Sequence, residues 1–207
     1  KEKVLRARHF VKRAVEVLKV LVEQIHILET MQPVEFLAFR NRLMPASGFQ
    51  SAQFREVEFM LGIRDNGYLR FFQHEPTALA ALERRLGEPS LRDTYYDMLR
   101  GLGFDLPQDT SVQTLEANEQ ERQRLFDSLR TIYADPESHL ELYLLTESLV
   151  DIDEFIGLWR YHHVRVVERV IGFKRGTGGS SGVGYLDSTT KKRAFPYLWE
   201  LRTHLEA

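Results

Sequence analysis

The chain contains no cysteine. That absence excludes disulfides, zinc-thiolate clusters, thiol nucleophiles and thiolate ligation of any other metal. It also lacks a run of eighteen apolar residues, and its start carries no secretory n-region, h-region and cleavage site, so nothing argues for membrane insertion or export. A cytoplasmic enzyme with no membrane partner is the default expectation. An excess of one charge is missing too. Lys and Arg number 28 against 30 Asp and Glu, a net of −2, and no basic tract resembles a nucleic-acid-binding arm. DNA and RNA are therefore not expected partners. No segment alternates apolar and polar residues well enough to be a strand. What remains is an all-α chain of 207 residues, one domain spanning 1–207 and large enough for a core without covalent staples.

The most informative stretch runs from Trp159 to Gly184, a helix that ends in a glycine-rich loop. On a helical wheel His163 lies one turn after Trp159, two after Ile156 and three after Ile152, and it meets Val166, Val167 and Val170 going forward. An imidazole thus sits inside an apolar stripe. His162 falls instead with Leu158, Arg165 and Arg169 on a mixed face. Gly172 is placed to end the helix in a left-handed conformation, and glycines 176, 178, 179, 182 and 184 then surround Thr177, Ser180 and Ser181. On pattern alone, a histidine in such a stripe is more often a core residue bonded to a carbonyl than a ligand. The loop is as often a flexible connector as an anion site. It is not a P-loop, because no Gly-Lys-Ser/Thr follows the glycines and no strand precedes them.

Elsewhere the chain reads as a succession of helices. Val4, Ala7, Val11, Ala14, Leu18, Leu21, Ile25 and Leu28 recur at spacings of three and four, a seam that either packs inside the domain, the favoured expectation, or pairs subunits in an oligomer. The helix shows no N-cap signal ahead of Lys3, as though a segment precedes it. Pro33 suits the first turn of the next helix, which carries Val34, Leu37 and Ala38 on one side. On the other, Phe36, Arg40 and Leu43 place a guanidinium between apolar neighbours. Such an arginine either covers apolar surface with its stem or grips a carboxylate with its fork. Ser47 and Gln50 form a capping box for a helix from Phe49 to Leu61, with Gly62 as its stop. Further helices are expected from Pro76 to Leu86, after Ser90 with Asp93, and from Ala117 to Tyr133. Gly103 to Glu116 reads as a loop. Pro136 precedes the long helix that holds Trp159 and His163, Tyr185 to Lys192 is polar, and Phe195 to Leu205 resumes a helical pattern. The expected architecture is a helical bundle enclosing a pocket.

Two blocks carry a resemblance. Trp159-Arg160-Tyr161-His162-His163 followed by Ile171-Gly172-Phe173-Lys174-Arg175-Gly176-Thr177-Gly178-Gly179-Ser180-Ser181-Gly182 closely resembles the C-terminal signature of the tryptophan 2,3-dioxygenase family. Pro45-Ala46-Ser47-Gly48-Phe49-Gln50-Ser51, with Phe54-Arg55-Glu56 after it, resembles that family's other signature. The similarity runs from about Leu28 to Leu205 and is looser between Gly67 and Pro136. It implies an all-α fold around a b-type haem, and insertion of both atoms of O2 across the indole C2–C3 bond of L-tryptophan or a derivative to give N-formylkynurenine. With no cysteine, histidine must hold the iron. By resemblance His163 is the axial haem ligand and Arg40 the partner of the substrate carboxylate. Thr177 is a hydroxyl near the substrate ammonium and carboxylate, Phe36 and Leu43 line the indole pocket, and Ser47 lies near the haem or indole. Family members carry the distal histidine on a segment upstream of the first helix, so no catalytic residue is assigned within this chain. The resemblance also implies a homotetramer. Phe36 stands where some relatives have tyrosine, and His162 beside the ligand is not expected in most of them.

Two rival functions follow from the same residues. One is a haem monooxygenase of this family acting on tryptophan or a substituted tryptophan, which no residue here separates from a dioxygenase; labelled O2 would. The other is a helical module whose glycine loop, Lys174 and Arg175 grip a phosphate. A Soret band in protein supplied with haem would exclude it.

Overall fold

The computed structural model describes residues 2–43, 51–174 and 182–205. Ten helices occur among them: α1 Glu2–Glu29, α2 Pro33–Arg40, α3 Ala52–Leu61, α4 Pro76–Gly87, α5 Leu91–Gly101, α6 Val112–Ala117, α7 Glu119–Ala134, α8 Leu140–Ile171, α9 Val183–Thr189 and α10 Pro196–Leu201. Short 3-10 segments span Asn41–Leu43, Asn66–Phe72 and Arg202–His204. No strand occurs among the described residues, so the fold is all-α as the sequence predicts. None of these helices is long and apolar enough to cross a membrane.

The frame is α1 lying along α8. Arg8 pairs with Glu141, the Lys19 ammonium sits 5.5 Å from the Phe155 ring centroid, and Glu29 reaches His162. Partner numbers rise together along both helices, so α1 and α8 run parallel and the elements between them must provide the return path. The seam that α1 buries consists of Val4, Val11, Val15, Val22 and Ile25, with Ala7 and Leu18 half-buried beside them. Each fully buried Val or Ile contributes roughly 1.5–3 kcal/mol. Ala14, Leu21 and Leu28, which the sequence pattern put in the seam, are exposed instead. A strict seven-residue repeat assumes 3.5 residues per turn, whereas a straight α-helix makes about 3.6, so the buried stripe slips by one residue along the helix.

Local chemistry sets the other helix ends. The Ser90 and Asp93 box forms: Asp93 N–H donates to Ser90 Oγ at 3.1 Å and Ser90 N–H to Asp93 Oδ2 at 2.9 Å. Gly62 ends α3 at φ 112°, and a Cβ there would lie 3.2 Å from both Arg92 Cβ and Ser90 Oγ, so only glycine fits. The start of α3 differs from expectation. The helix begins at Ala52, with Ser51 Oγ accepting from Phe54 N–H, while the Ser47–Gln50 box lies outside the described residues. The stretch expected to be a loop contains α6, started by Ser111 Oγ accepting from Thr114 N–H at 3.3 Å. The polar stretch after Gly182 contains α9.

Asp153 of α8 anchors the start of α10. Its carboxylate accepts the N–H groups of Ala194 at 2.7 Å and Phe195 at 2.8 Å, all three residues being buried. Asp153→Ala leaves two buried donors without an acceptor, each costing about 1–3 kcal/mol. Thermal unfolding of that variant should show a stability loss of roughly 2–6 kcal/mol, and a loss below about 1 kcal/mol would mean that water replaces the carboxylate.

Candidate functional site

The second half of α8 faces α3 through two features placed side by side. The first is a buried charge cluster. Glu58 of α3 accepts from Arg55 on one carboxylate oxygen and from Arg160 of α8 on the other, and the three side chains are 1%, 7% and 2% exposed respectively. Arg160 Nη1 also donates to the Lys192 carbonyl at 2.9 Å. The Arg55 guanidinium lies 4.0 Å from the Tyr68 ring centroid, a cation–π contact in a dry setting. Lys192 Nζ donates to Tyr68 Oη at 3.0 Å and to Asp65 at 3.2 Å, and Tyr68 Oη lies 2.6 Å from Tyr185 Oη. One carboxylate thus ties α3 to α8, and Arg160 carries the link on to the segment that leads into α10.

The second feature is a ladder of rings. Phe54 of α3 lies on Trp159 with centroids 5.0 Å apart at 30°, and Trp159 lies on His163 at 5.3 Å and 34°. Trp159 precedes Arg160, so the charge cluster that locks α3 also holds the ladder in register. His163 has the environment its stripe predicted: Ile152, Ile156 and Val170 are buried, and Val166 and Val167 are half-buried. Burial pushes the His163 imidazole below its ordinary pKa, which keeps the ring neutral. Neither ring nitrogen is hydrogen-bonded within the described residues. His162, by contrast, is engaged, with Nδ1 3.0 Å from Glu29 Oε1. A neutral imidazole with a free lone pair, oriented by a stacked indole and flanked by valines, is what an axial ligand to iron requires, and no thiolate competes. On these grounds His163 fits the role of a haem ligand.

On α2, Phe36 and Arg40 are half-buried while every other position is exposed, and the helix packs against α8. Those two side chains therefore mark its inner face. Phe36 meets Phe39 edge to face at 5.1 Å. Val34 and Leu37, the apolar side read from the sequence, point to solvent. Leu43 falls in the 3-10 turn and is 40% exposed. Ser47 and Thr177 lie outside the described residues. Gly172 ends α8 at φ 62°, as a glycine stop should, but its ψ of −144° places it in an extended glycine-only region instead of the left-handed one expected.

Phe54, Arg55 and Arg160 stand in the two family-like blocks, yet neither they nor Glu58 carry a role that the sequence assigns. Arg55 and Glu58 are three residues apart on one helix, which is a visible pairing. Their link to Arg160 spans 102 positions and has no local signal. Two surface clefts occur elsewhere, one around Phe104, Asp105 and Arg124, the other around Arg64, Arg92 and Arg100; neither includes His163, Phe36 or Arg40.

Comparison with known proteins bears on what this arrangement serves. The sequence profile of a family described as tryptophan 2,3-dioxygenase matches residues 1–96 and 112–205. A curated tryptophan 2,3-dioxygenase from a Nocardioides strain is 45% identical over 200 residues, covering 96% of this chain and 70% of the relative. Those of Myxococcus xanthus and Caulobacter vibrioides are 42% and 45% identical, covering 93% and 86% of this chain and 66% and 68% of the relatives. The chain spans about two thirds of the length of the curated relatives it matches.

Proposed function

This chain belongs to the tryptophan 2,3-dioxygenase family, and from that premise we propose that it opens the indole ring of L-tryptophan with O2 to give N-formylkynurenine, using a b-type haem held by His163. The observation that carries the site assignment is the neutral, half-buried imidazole of His163 with neither nitrogen engaged by the described residues, stacked on Trp159. When bound, the haem supplies the iron that activates dioxygen.

The protein's own task is binding and orientation. Arg40 takes the amino-acid carboxylate in two parallel hydrogen bonds, which suits its planar fork. Phe36, one turn before it on the same inner face of α2, offers a ring to the indole, and Leu43 adds an apolar wall. Thr177 supplies a hydroxyl to the ammonium and carboxylate end, and Ser47 another near the haem or the indole. Holding the substrate at both ends makes its meeting with activated oxygen a positioned event. A homo-oligomer, a tetramer by family, belongs to the same reading; Phe10, Val17, Val20 and Ile27 on the outer side of α1 offer apolar surface for a subunit contact.

The test is an anaerobic optical titration of reduced, haem-supplied protein with L-tryptophan, followed by O2. The expected result is a five-coordinate ferrous spectrum that shifts with tryptophan, then the absorbance of N-formylkynurenine carrying both atoms of labelled O2. A haem spectrum with no tryptophan response and no product would overturn the substrate. Arg40→Ala should raise KM for tryptophan roughly 10- to 100-fold, the worth of hydrogen bonds to a charged group. Arg40→Lys should not restore it, because an ammonium cannot form the fork. An unchanged KM in Arg40→Ala removes Arg40 from the site.

A further inference from the structure

Where α1 ends beside α8, three side chains meet that the proposed reaction does not use. His26 and Glu29 stand three residues apart on α1 and share a face, and His162 comes across from α8. Glu29 Oε2 lies 3.2 Å from His26 Nδ1, and Glu29 Oε1 lies 3.0 Å from His162 Nδ1. The two imidazoles meet edge to face with centroids 4.4 Å apart at 76°. One donor atom from each of the three residues falls within 4.8 Å of the other two. We propose that His26, Glu29 and His162 form a binding site for a divalent transition-metal cation of the zinc class, separate from the haem iron.

The donor set selects that class. Two imidazole nitrogens and one carboxylate oxygen suit zinc and its neighbours, whereas calcium and magnesium require oxygen ligands throughout. The spacing is close to what coordination needs. With metal–ligand bonds of about 2.0–2.2 Å, the donors of a tetrahedral site stand roughly 3.3–3.6 Å apart, and both Glu29 contacts already fall just short of that. Glu29 now occupies the centre as a shared hydrogen-bond acceptor, and small rotations of three side chains would let an ion take that place. The side chains are half-buried, His26 the most open at 41% exposure, which leaves a path for the ion and room for water as a fourth ligand.

The position has a structural consequence. A cation here joins the end of α1 to α8 at the residue next to His163. It would stiffen the frame beside the haem ligand without touching the haem.

The test uses haem-supplied protein stripped of adventitious metal with a chelator and titrated with Zn2+ by calorimetry in a non-coordinating buffer near neutral pH. One equivalent of zinc beyond the iron is expected. His162→Ala and Glu29→Gln should each weaken uptake by at least about a hundredfold, the upper end of what loss of a mere supporting partner costs. His9→Ala, an exposed histidine elsewhere on α1, should leave uptake unchanged. The Soret band should survive in His162→Ala, because the haem ligand is its neighbour. Absence of saturable zinc uptake, or uptake that persists in both His162→Ala and Glu29→Gln, overturns the site. Zinc uptake with these variant effects in protein that takes up no haem would support the site and overturn the haem reading, so the two fail separately.

Discussion

His163→Ala protein supplied with haem is expected to lose the five-coordinate ferrous spectrum and to turn over tryptophan at least about a thousandfold more slowly, a barrier increase of roughly 4 kcal/mol. The chain has no cysteine to stand in as ligand, and the adjacent imidazole is held by Glu29. His162→Ala should therefore keep both the spectrum and most of the activity. The paired variants separate two neighbours that a motif alone leaves adjacent. Removal of the His163 ring forfeits its stacking on Trp159 and leaves a cavity, so a far-UV circular dichroism spectrum retained in the variant is what will show that the spectral loss reports ligation and not unfolding. Free imidazole added to His163→Ala should restore the spectrum by filling the space beside Trp159. A five-coordinate spectrum that persists in His163→Ala without added imidazole would sink the assignment.

That His162 and His163 fall on different faces of α8 was legible in the sequence, because helical periodicity is a strong signal; that His162, on the face expected to reach water, is held by Glu29 of α1 was not. Ile152, Ile156, Trp159 and His163 recur at steps of three and four, and the structure buries the first two and half-buries the others. Ser90 with Asp93, and Gly62 as a stop, were legible for the same local reason, each satisfying backbone groups within one turn. The short helices α6 and α9 were not, since six or seven residues make fewer than two complete repeats of any pattern. The seam of α1 was legible in kind but not in register, because a heptad and a straight helix diverge by about 20° per heptad, which over the 28 residues of α1 approaches the angle of one residue. On α2 the stripe of Phe36, Arg40 and Leu43 was legible only in part: Phe36 and Arg40 are half-buried on the inner face, Leu43 is exposed, and so is the more apolar-looking side. Burial there is decided by where α8 lies, which no local window contains. The same holds for the parallel packing of α1 on α8, joined only by contacts more than a hundred residues apart in sequence.

Glu58→Ala tests the least legible element, and it is expected to cost about 3–5 kcal/mol, the penalty for removing one member of a buried ion pair. In a chain of this length that corresponds to a fall in Tm of roughly 6–20 °C. The size follows from what would be left behind. Arg55 and Arg160 would face each other as buried cations, and their Nε–H groups already lack acceptors among the described residues. Arg160 would keep the Lys192 carbonyl and Arg55 the Tyr68 face, neither of which neutralises charge. Glu58→Gln keeps the volume and one acceptor and should cost less than alanine. Replacing all three residues with apolar side chains of similar size should cost less than Glu58→Ala, because no uncompensated charge remains. That ordering separates the two roles the cluster could have. If it only holds α3 to α8, the apolar triple variant should recover stability and haem binding together. If the carboxylate is needed to set the rotation that stacks Phe54 on Trp159 and Trp159 on His163, the triple variant should refold yet bind haem more weakly, with a broadened ferrous spectrum. We expect the second outcome, since apolar packing fixes helix rotation less sharply than a carboxylate bonded on both oxygens. A Glu58→Ala protein within about 1 kcal/mol of the parent would show instead that the cluster is hydrated and sets nothing.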